Sequence, residues 1–247
     1  MLVGPTDEVA FDNPSGDVVF PAVDADAYER VFDFGCGCGR IARQLIQQRV
    51  QPKEYVGIDL HRGMIRWCRD NLTPTAPQFA FHHHDVFNCV FNPGDVPMVL
   101  PFPVDDGRFT LVNAHSVFTH LTQSQTEHYL AEVRRIIADR GVFRSTWFLF
   151  DRSLFPMLHD FQGALYTSEF DLSGAVLYDR EWMLEQARRL QLTVTHVVAP
   201  YVRGHQWEVL MQPSAPGIVE ARFPEDAADM GRMAPPMPTG DPSQIGL

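Results

Sequence analysis

Val31-Phe32-Asp33-Phe34-Gly35-Cys36-Gly37-Cys38-Gly39-Arg40 is an apolar run that ends in an acidic residue and breaks into a loop where every second residue is glycine. Ile41-Ala42-Arg43-Gln44-Leu45-Ile46 follows and reads as a helix. The order is strand, tight loop, helix. Glycines let the backbone approach a ligand closely and take up angles closed to other residues. The helix start behind them offers unpaired N–H groups and the positive end of a dipole. Such a loop suits a nucleotide-like ligand.

Spacing decides which ligand. A dinucleotide fingerprint is Gly-x-Gly-x-x-Gly. Gly35 and Gly37 fit it, but its third position falls on Arg40, and glycine comes one residue early at Gly39. The Asp33-x-Gly35-x-Gly37-x-Gly39 pattern resembles motif I of the class I S-adenosylmethionine (SAM)-dependent methyltransferases. The resemblance implies an α/β fold: a doubly wound, mostly parallel seven-stranded sheet with an antiparallel last strand and helices on both faces. It also implies SAM as cofactor, with S-adenosylhomocysteine as product.

The rest of the chain extends the resemblance over about residues 30 to 212. Tyr55-Val56-Gly57-Ile58-Asp59-Leu60 is a short apolar strand whose Asp59 stands about 20 residues beyond the glycine loop. That is the place of an acidic residue that accepts from ribose hydroxyls. A helix over His61 to Asn71 follows, with Met64, Ile65 and Cys68 on its apolar side. By the resemblance, Leu60 and Met64 flank an adenine, though Met64 reads equally well as core. Phe79 to Phe87 is the third strand and its exit, and Asp85-Val86 resembles the third signature, where a carboxylate takes the adenine amino group and the next N–H a ring nitrogen. His82-His83-His84 invites a metal reading. Strand alternation sets it aside, because His82 and His84 share one side and His83 the other. All three are expected to be partly exposed strand residues.

Asn92 to Asp106 is loop, and Asp105-Asp106 make the turn before the fourth strand, Phe109 to Ala114. His115-Ser116-Val117-Phe118-Thr119-His120-Leu121 leaves the same sheet edge. Thr122 and Gln125 have the spacing of a capping box. The two histidines therefore lie in a loop or first turn, and histidine moves protons near neutral pH. The resemblance gives the place of His120 two roles, proton acceptor or packing against the cofactor. His115 is the second candidate base and, with Asn113, a cofactor contact. Cys36 belongs to the same cofactor-binding loop.

Gln125 to Ala138 is an amphipathic helix closed by Arg140-Gly141, and Val142 to Phe150 is the fifth strand. Trp147 is a candidate substrate contact, with core as its other reading. Residues 151 to 178 fit neither helix nor strand, and read as an ordered, aromatic lid holding Phe155, Phe161, Tyr166 and Phe170. A further helix, Asp179 to Leu190, precedes a closing hairpin of Leu192 to Val198 and Gln206 to Met211. Gly204-His205-Gln206 is similar to methyltransferases of sugar and polysaccharide biosynthesis, which often continue with Asp where this chain has Trp207. Tyr166 and His205 join Trp147 as candidate substrate contacts. The expected organisation is an N-terminal arm (1–29), the catalytic domain (30–212) and a loose tail (213–247).

At 247 residues the chain can bury one sizeable core. No apolar run is long enough to cross a bilayer. Met1 to Ala10 lacks a basic region followed by an apolar core, so no secretory signal is expected. Cys36, Cys38, Cys68 and Cys89 read as reduced thiols of a cytoplasmic protein. The net charge of −11 opposes binding of nucleic acid, whose affinity rests on Lys and Arg. These readings converge on SAM-dependent methylation of a small-molecule hydroxyl, a sugar being one candidate, with no metal and no membrane or nucleic-acid partner. An N- or C-methyltransferase of the same fold and a SAM-binding protein without turnover are the rivals. An NAD-linked oxidoreductase is disfavoured by the glycine spacing.

Overall fold

The computed structural model describes residues 8–155, 157–158, 163–200 and 205–224. Met1 to Asp7 of the expected arm, Phe161 of the expected lid, Tyr201 to Gly204 of the closing hairpin and residues 225–247 of the expected tail lie outside the described residues.

Five parallel strands form the centre: β1 (Arg30–Phe34), β2 (Glu54–Asp59), β3 (Phe79–His83), β4 (Phe109–Ala114) and β5 (Ile137–Phe150). They lie in the order β3-β2-β1-β4-β5. Three helices make the crossovers: α1 (Arg40–Gln47), α2 (Arg62–Asn71) and α3 (Gln123–Ile136). The sequence reads on through β6 (Ala164–Tyr166), β7 (Val176–Asp179), α4 (Arg180–Arg189), β8 (Leu192–Val198) and β9 (Trp207–Pro213). β9 runs antiparallel to β5 and pairs with β8, which completes the expected closing hairpin.

Among the described residues the sheet has nine strands rather than seven. The extra two are the β6–β7 hairpin, which lies in the stretch read as neither strand nor helix. Residues 164–166 and 176–179 are too short to show a strand period, and Gly163 and Gly174 stand just before them. The free edge of β5 is shared end to end: β9 takes it up to the Trp147–Trp207 pair, and β7 takes over at the Phe148–Leu177 pair.

Strand alternation sorts the core into two layers. Phe32, Val56, Val112 and Phe143 face one side, where α3 contributes Tyr129, Leu130, Val133 and Ile136, and α4 contributes Met183 and Ala187. Val31, Tyr55, Leu111 and Val142 face the other, under Ile41 and Leu45 of α1 and Ile65 and Cys68 of α2. Phe20, Val23 and Tyr28 from the arm fill this second layer. α3 begins with the expected capping box: Thr122 N donates to Gln125 Oε1 at 2.9 Å and Gln125 N to Thr122 Oγ1 at 3.4 Å. It stops at Ile136, two residues short of the sequence expectation, and β5 begins at once.

Candidate active site

The C-terminal ends of β1, β2, β3 and β4 open on one edge, and the glycine loop lies across it. Gly35 N and Cys36 N donate to Ile58 O at 2.8 and 3.0 Å, tying the loop to the end of β2. Gly39 caps α1 at φ 78°, and among the described residues no side chain caps the helix's first N–H groups. A Cβ on Gly35 would run into Val117 Cγ2, and one on Gly39 would sit 2.5 Å from Leu72 Cδ1. At Gly37 the nearest atom would be Met64 Sδ, 3.9 Å away. An added Cβ is thus crowded at 35 and 39 and meets only an ordinary van der Waals contact at 37, and all three positions have the positive φ that favours glycine.

Asp59 holds the loop from the other side. Its Oδ2 accepts from Gly37 N at 2.8 Å and its Oδ1 from His61 N at 2.7 Å. Burial pushes its carboxyl up, and these two bonds pull it down. His83 links the next two exits, with Nε2 2.9 Å from Leu60 O and Nδ1 3.9 Å from Asp85 Oδ1. Asp85 is half-exposed and accepts from Asn92 Nδ2 at 3.0 Å, the main cause holding its carboxyl below the usual range. Val86 is buried and its N–H donates to His84 O at 2.8 Å.

The three consecutive histidines have three different settings. His82 is exposed and His83 bridges as above. His84 is 4% exposed, lies beyond the end of β3 and places Nε2 3.0 Å from Tyr129 Oη. The expectation of partial exposure is therefore corrected for His84: the chain turns inward there and α3 covers it. Among the described residues, no group of three or more His, Cys, Asp or Glu could hold a metal ion.

A polar row crosses the sheet beneath the loop. Tyr55 Oη and Asn113 Nδ2 each donate to Asp33 at 2.6 Å. Arg144 Nη1 donates to Asn113 Oδ1 at 2.9 Å, and Arg144 Nη2 pairs with Glu208. Asp33, Asn113 and Arg144 are register partners on β1, β4 and β5, so their side chains share one face. Arg144 is 4% exposed and its guanidinium lies 4.0 Å over the Phe20 ring. Its Nε has no hydrogen-bond partner among the described residues. Sequence reading missed this residue, although a charge inside the apolar strand 142–147 was the available signal, since a buried charge needs partners.

His115 places Nδ1 3.5 Å from Arg144 Nη1. Burial, then Arg144 and Arg40, push its pKa down to about 4. A histidine so held is neutral near pH 7 and a poor proton acceptor, which tells against the second candidate base. His120 ends a short 3-10 turn, Phe118–His120, and places Nδ1 2.8 Å from Ser173 O. A carbonyl only accepts, so Nδ1 carries the hydrogen and Nε2 the lone pair. Between the two histidines, Ser116 takes φ 58° and its hydroxyl accepts from Gln206 Nε2 at 2.8 Å. Sequence reading missed Ser116 and Gln206 as well.

The three candidate substrate contacts have different settings. Trp147 is fully buried, stacked on Phe118 at 4.4 Å and hydrogen-bonded from Nε1 to Ser145 Oγ at 2.8 Å. Its core reading holds, because β9 and the layer around Phe118 enclose it. Tyr166 Oη accepts from Gln123 N at 3.0 Å, at the start of α3. His205 is exposed beside Gln206.

The methyltransferase-domain family matches residues 31–141, from β1 into the start of β5. Among solved structures, an S-adenosylmethionine-dependent methyltransferase from Mesorhizobium loti is similar at 15% identity and TM-score 0.53, covering 74% of this chain and 89% of its own. The 1,6-didemethyltoxoflavin-N1-methyltransferase of Burkholderia thailandensis, solved with 1,6-didemethyltoxoflavin and S-adenosylhomocysteine, is similar at 14% identity and TM-score 0.54, covering 75% of this chain and 71% of its own. At such identities these likenesses speak for the fold. Function has to be argued from the site.

Proposed function

We propose that this chain, whose methyltransferase domain uses S-adenosylmethionine, methylates a hydroxyl of a small molecule, with His120 taking the hydroxyl proton. The observation that carries this reading is Nε2 of His120, left as an acceptor by the 2.8 Å contact between Nδ1 and Ser173 O and without a hydrogen-bond partner among the described residues. The site fits a nucleoside-bearing donor. The uncrowded Cα of Gly37 admits close approach, and the start of α1, which no side chain caps among the described residues, offers N–H groups.

In this reading the backbone of Gly35, Cys36, Gly37 and Gly39 cradles the donor. Asp59 takes the ribose hydroxyls with the lone pairs its two backbone bonds leave free. Leu60 and Met64 flank the adenine, and Asp85 and Val86 meet its edge. For Val86 to do so, its N–H must leave the His84 carbonyl. Asn113 and His115 face the amino-acid end. When bound, the cofactor supplies a methyl on a positively charged sulfur: the acceptor oxygen bonds to carbon, and the sulfur–carbon bond breaks with its electron pair remaining on sulfur. The proton released from the hydroxyl passes to His120 Nε2. Position supplies much of the rate, and the chain's part is to align the acceptor and receive that proton. The net charge of −11 supports a small acceptor over a polyanion.

The test is transfer of labelled methyl to a panel of hydroxylated small molecules, sugars and glycosides first, beside amine and carbon acceptors. His120→Ala should lower kcat about 100-fold, within the range a general base contributes. S-adenosylhomocysteine binding in a calorimeter should be unchanged in that variant and weakened at least about 10-fold in Asp59→Ala, whose carboxylate both holds the loop and meets the ribose. Full turnover by His120→Ala, or transfer to amines alone, overturns the reading.

A further inference from the structure

The turn between β6 and β7 is built around Asp171. Its Oδ1 accepts from Ser173 N at 3.0 Å and from Ser173 Oγ at 2.6 Å. Gly174 N closes back on Asp171 O at 3.1 Å, and Ser168 Oγ accepts from Phe170 N and Asp171 N at 3.2 and 3.1 Å. A second set of bonds docks the turn on the loop after β3: Asn88 Nδ2 donates to Ser173 Oγ at 3.2 Å and Cys89 Sγ to Asp171 Oδ1 at 3.3 Å. Every bond to Oδ1 thus fixes Ser173, directly or through the neighbouring loop. The outward product of this turn is the Ser173 carbonyl, which points at His120 Nδ1.

We infer that Asp171 is a positioning residue: it locks the turn that places the Ser173 carbonyl on His120 Nδ1, and so selects the tautomer whose bare Nε2 receives the proton. This rests on the reading of His120 as proton acceptor. A histidine with its hydrogen on Nε2 cannot take a proton there, so the tautomer is a condition of the step. Once Nε2 is protonated, the imidazolium keeps its Nδ1 bond to the carbonyl. It also lies within the field of the Asp171 carboxylate: after the Ser173 hydroxyl, attraction to His120 is among the causes holding that carboxyl below its usual range. The carboxylate acts on the histidine through a turn rather than by touching it. The family match ends at residue 141, well before this turn, so the device belongs to the inserted hairpin.

The experiment reads the tautomer directly, by nitrogen-15 NMR of the histidine rings in the full chain, with His120→Gln to assign the signals. Wild type should show hydrogen on Nδ1. Asp171→Ala should move His120 toward the form with hydrogen on Nε2 and lower kcat about 10-fold, part of what a positioned base supplies, with the KM for S-adenosylmethionine unchanged. Asp171→Asn keeps an oxygen that accepts from Ser173, so it should retain the wild-type tautomer and most of the rate. A wild-type ring with hydrogen on Nε2, or an Asp171→Ala protein whose ring signals do not move, overturns the inference. If the tautomer responds as expected while His120→Gln turns over normally, it is the base reading that falls. The two failures are therefore distinct.

Discussion

His84 is a histidine the fold keeps neutral. Burial, chiefly, pushes its pKa down to about 4, against 6.5 when free. Between those values the unfolded chain binds a proton that the folded chain refuses. Stability from this residue is therefore complete above about pH 6.5 and is lost as the pH falls toward 4. From pH 7 to pH 5 the loss is about 2 kcal/mol. His84→Gln has no proton to gain, and its amide can still meet Tyr129 Oη. Urea titrations at the two pH values should show the variant losing about 2 kcal/mol less than wild type. Equal losses would mean that His84 titrates freely. The sequence placed this residue in the right segment and misjudged its exposure, because alternation describes a strand and β3 ends at His83.

Among the elements, the glycine loop was legible and the row beneath it was not. Alternating glycines and two distant carboxylates are sequence patterns, and the fold places them on one edge. Asp33, Asn113, Arg144 and Glu208 come from β1, β4, β5 and β9, and no local pattern announces a row that only register assembles. The hairpin turn at Asp171 was unreadable for the same reason: its target, His120, is 53 residues from Ser173. Each kind of element allows a controlled test. Gly37 and Gly107 both have positive φ, at 56° and 61°, and neither has an atom within 3.5 Å of an added Cβ. Alanine at either should cost about 1 kcal/mol from conformation alone. In the cofactor reading, Gly37→Ala should also weaken S-adenosylhomocysteine binding more than about 10-fold, while Gly107→Ala leaves it intact. Equal binding by both would remove Gly37 from the site. For the row, Arg144→Met strands the Glu208 carboxylate and the Asn113 carbonyl, and should destabilise by about 3–5 kcal/mol in urea. Arg144→Met with Glu208→Leu should recover much of it, and no recovery would mean that the arginine stabilises by packing alone.

Over the whole molecule, the two layers of the core are closed by different means. α3 and α4 close one. α1 and α2 close the other together with Phe20, Val23 and Tyr28, residues that precede the first strand. Proline and glycine around these residues made them read as an irregular arm with a short helix near Asp24 to Tyr28; a 3-10 turn does stand there, Ala25–Glu29, but that reading was silent about the side chains. Tyr28 Oη accepts from Phe20 N at 2.8 Å, so the arm is pinned on itself where it meets the sheet. Phe20 then shields the guanidinium of Arg144 from water at 4.0 Å. Its removal would both open a cavity and hydrate a buried ion pair. Phe20→Ala should therefore lower the unfolding free energy by about 3–5 kcal/mol, the range for a buried phenylalanine. Val18→Ala, two residues away at 38% exposure, should change it by less than about 0.5 kcal/mol. If the arm were an appendage, both would sit near zero. A large loss at Phe20 that disappears in an Arg144→Met background would place its contribution in covering the charge. A loss of the same size in both backgrounds would place it in filling the layer between α1 and the sheet.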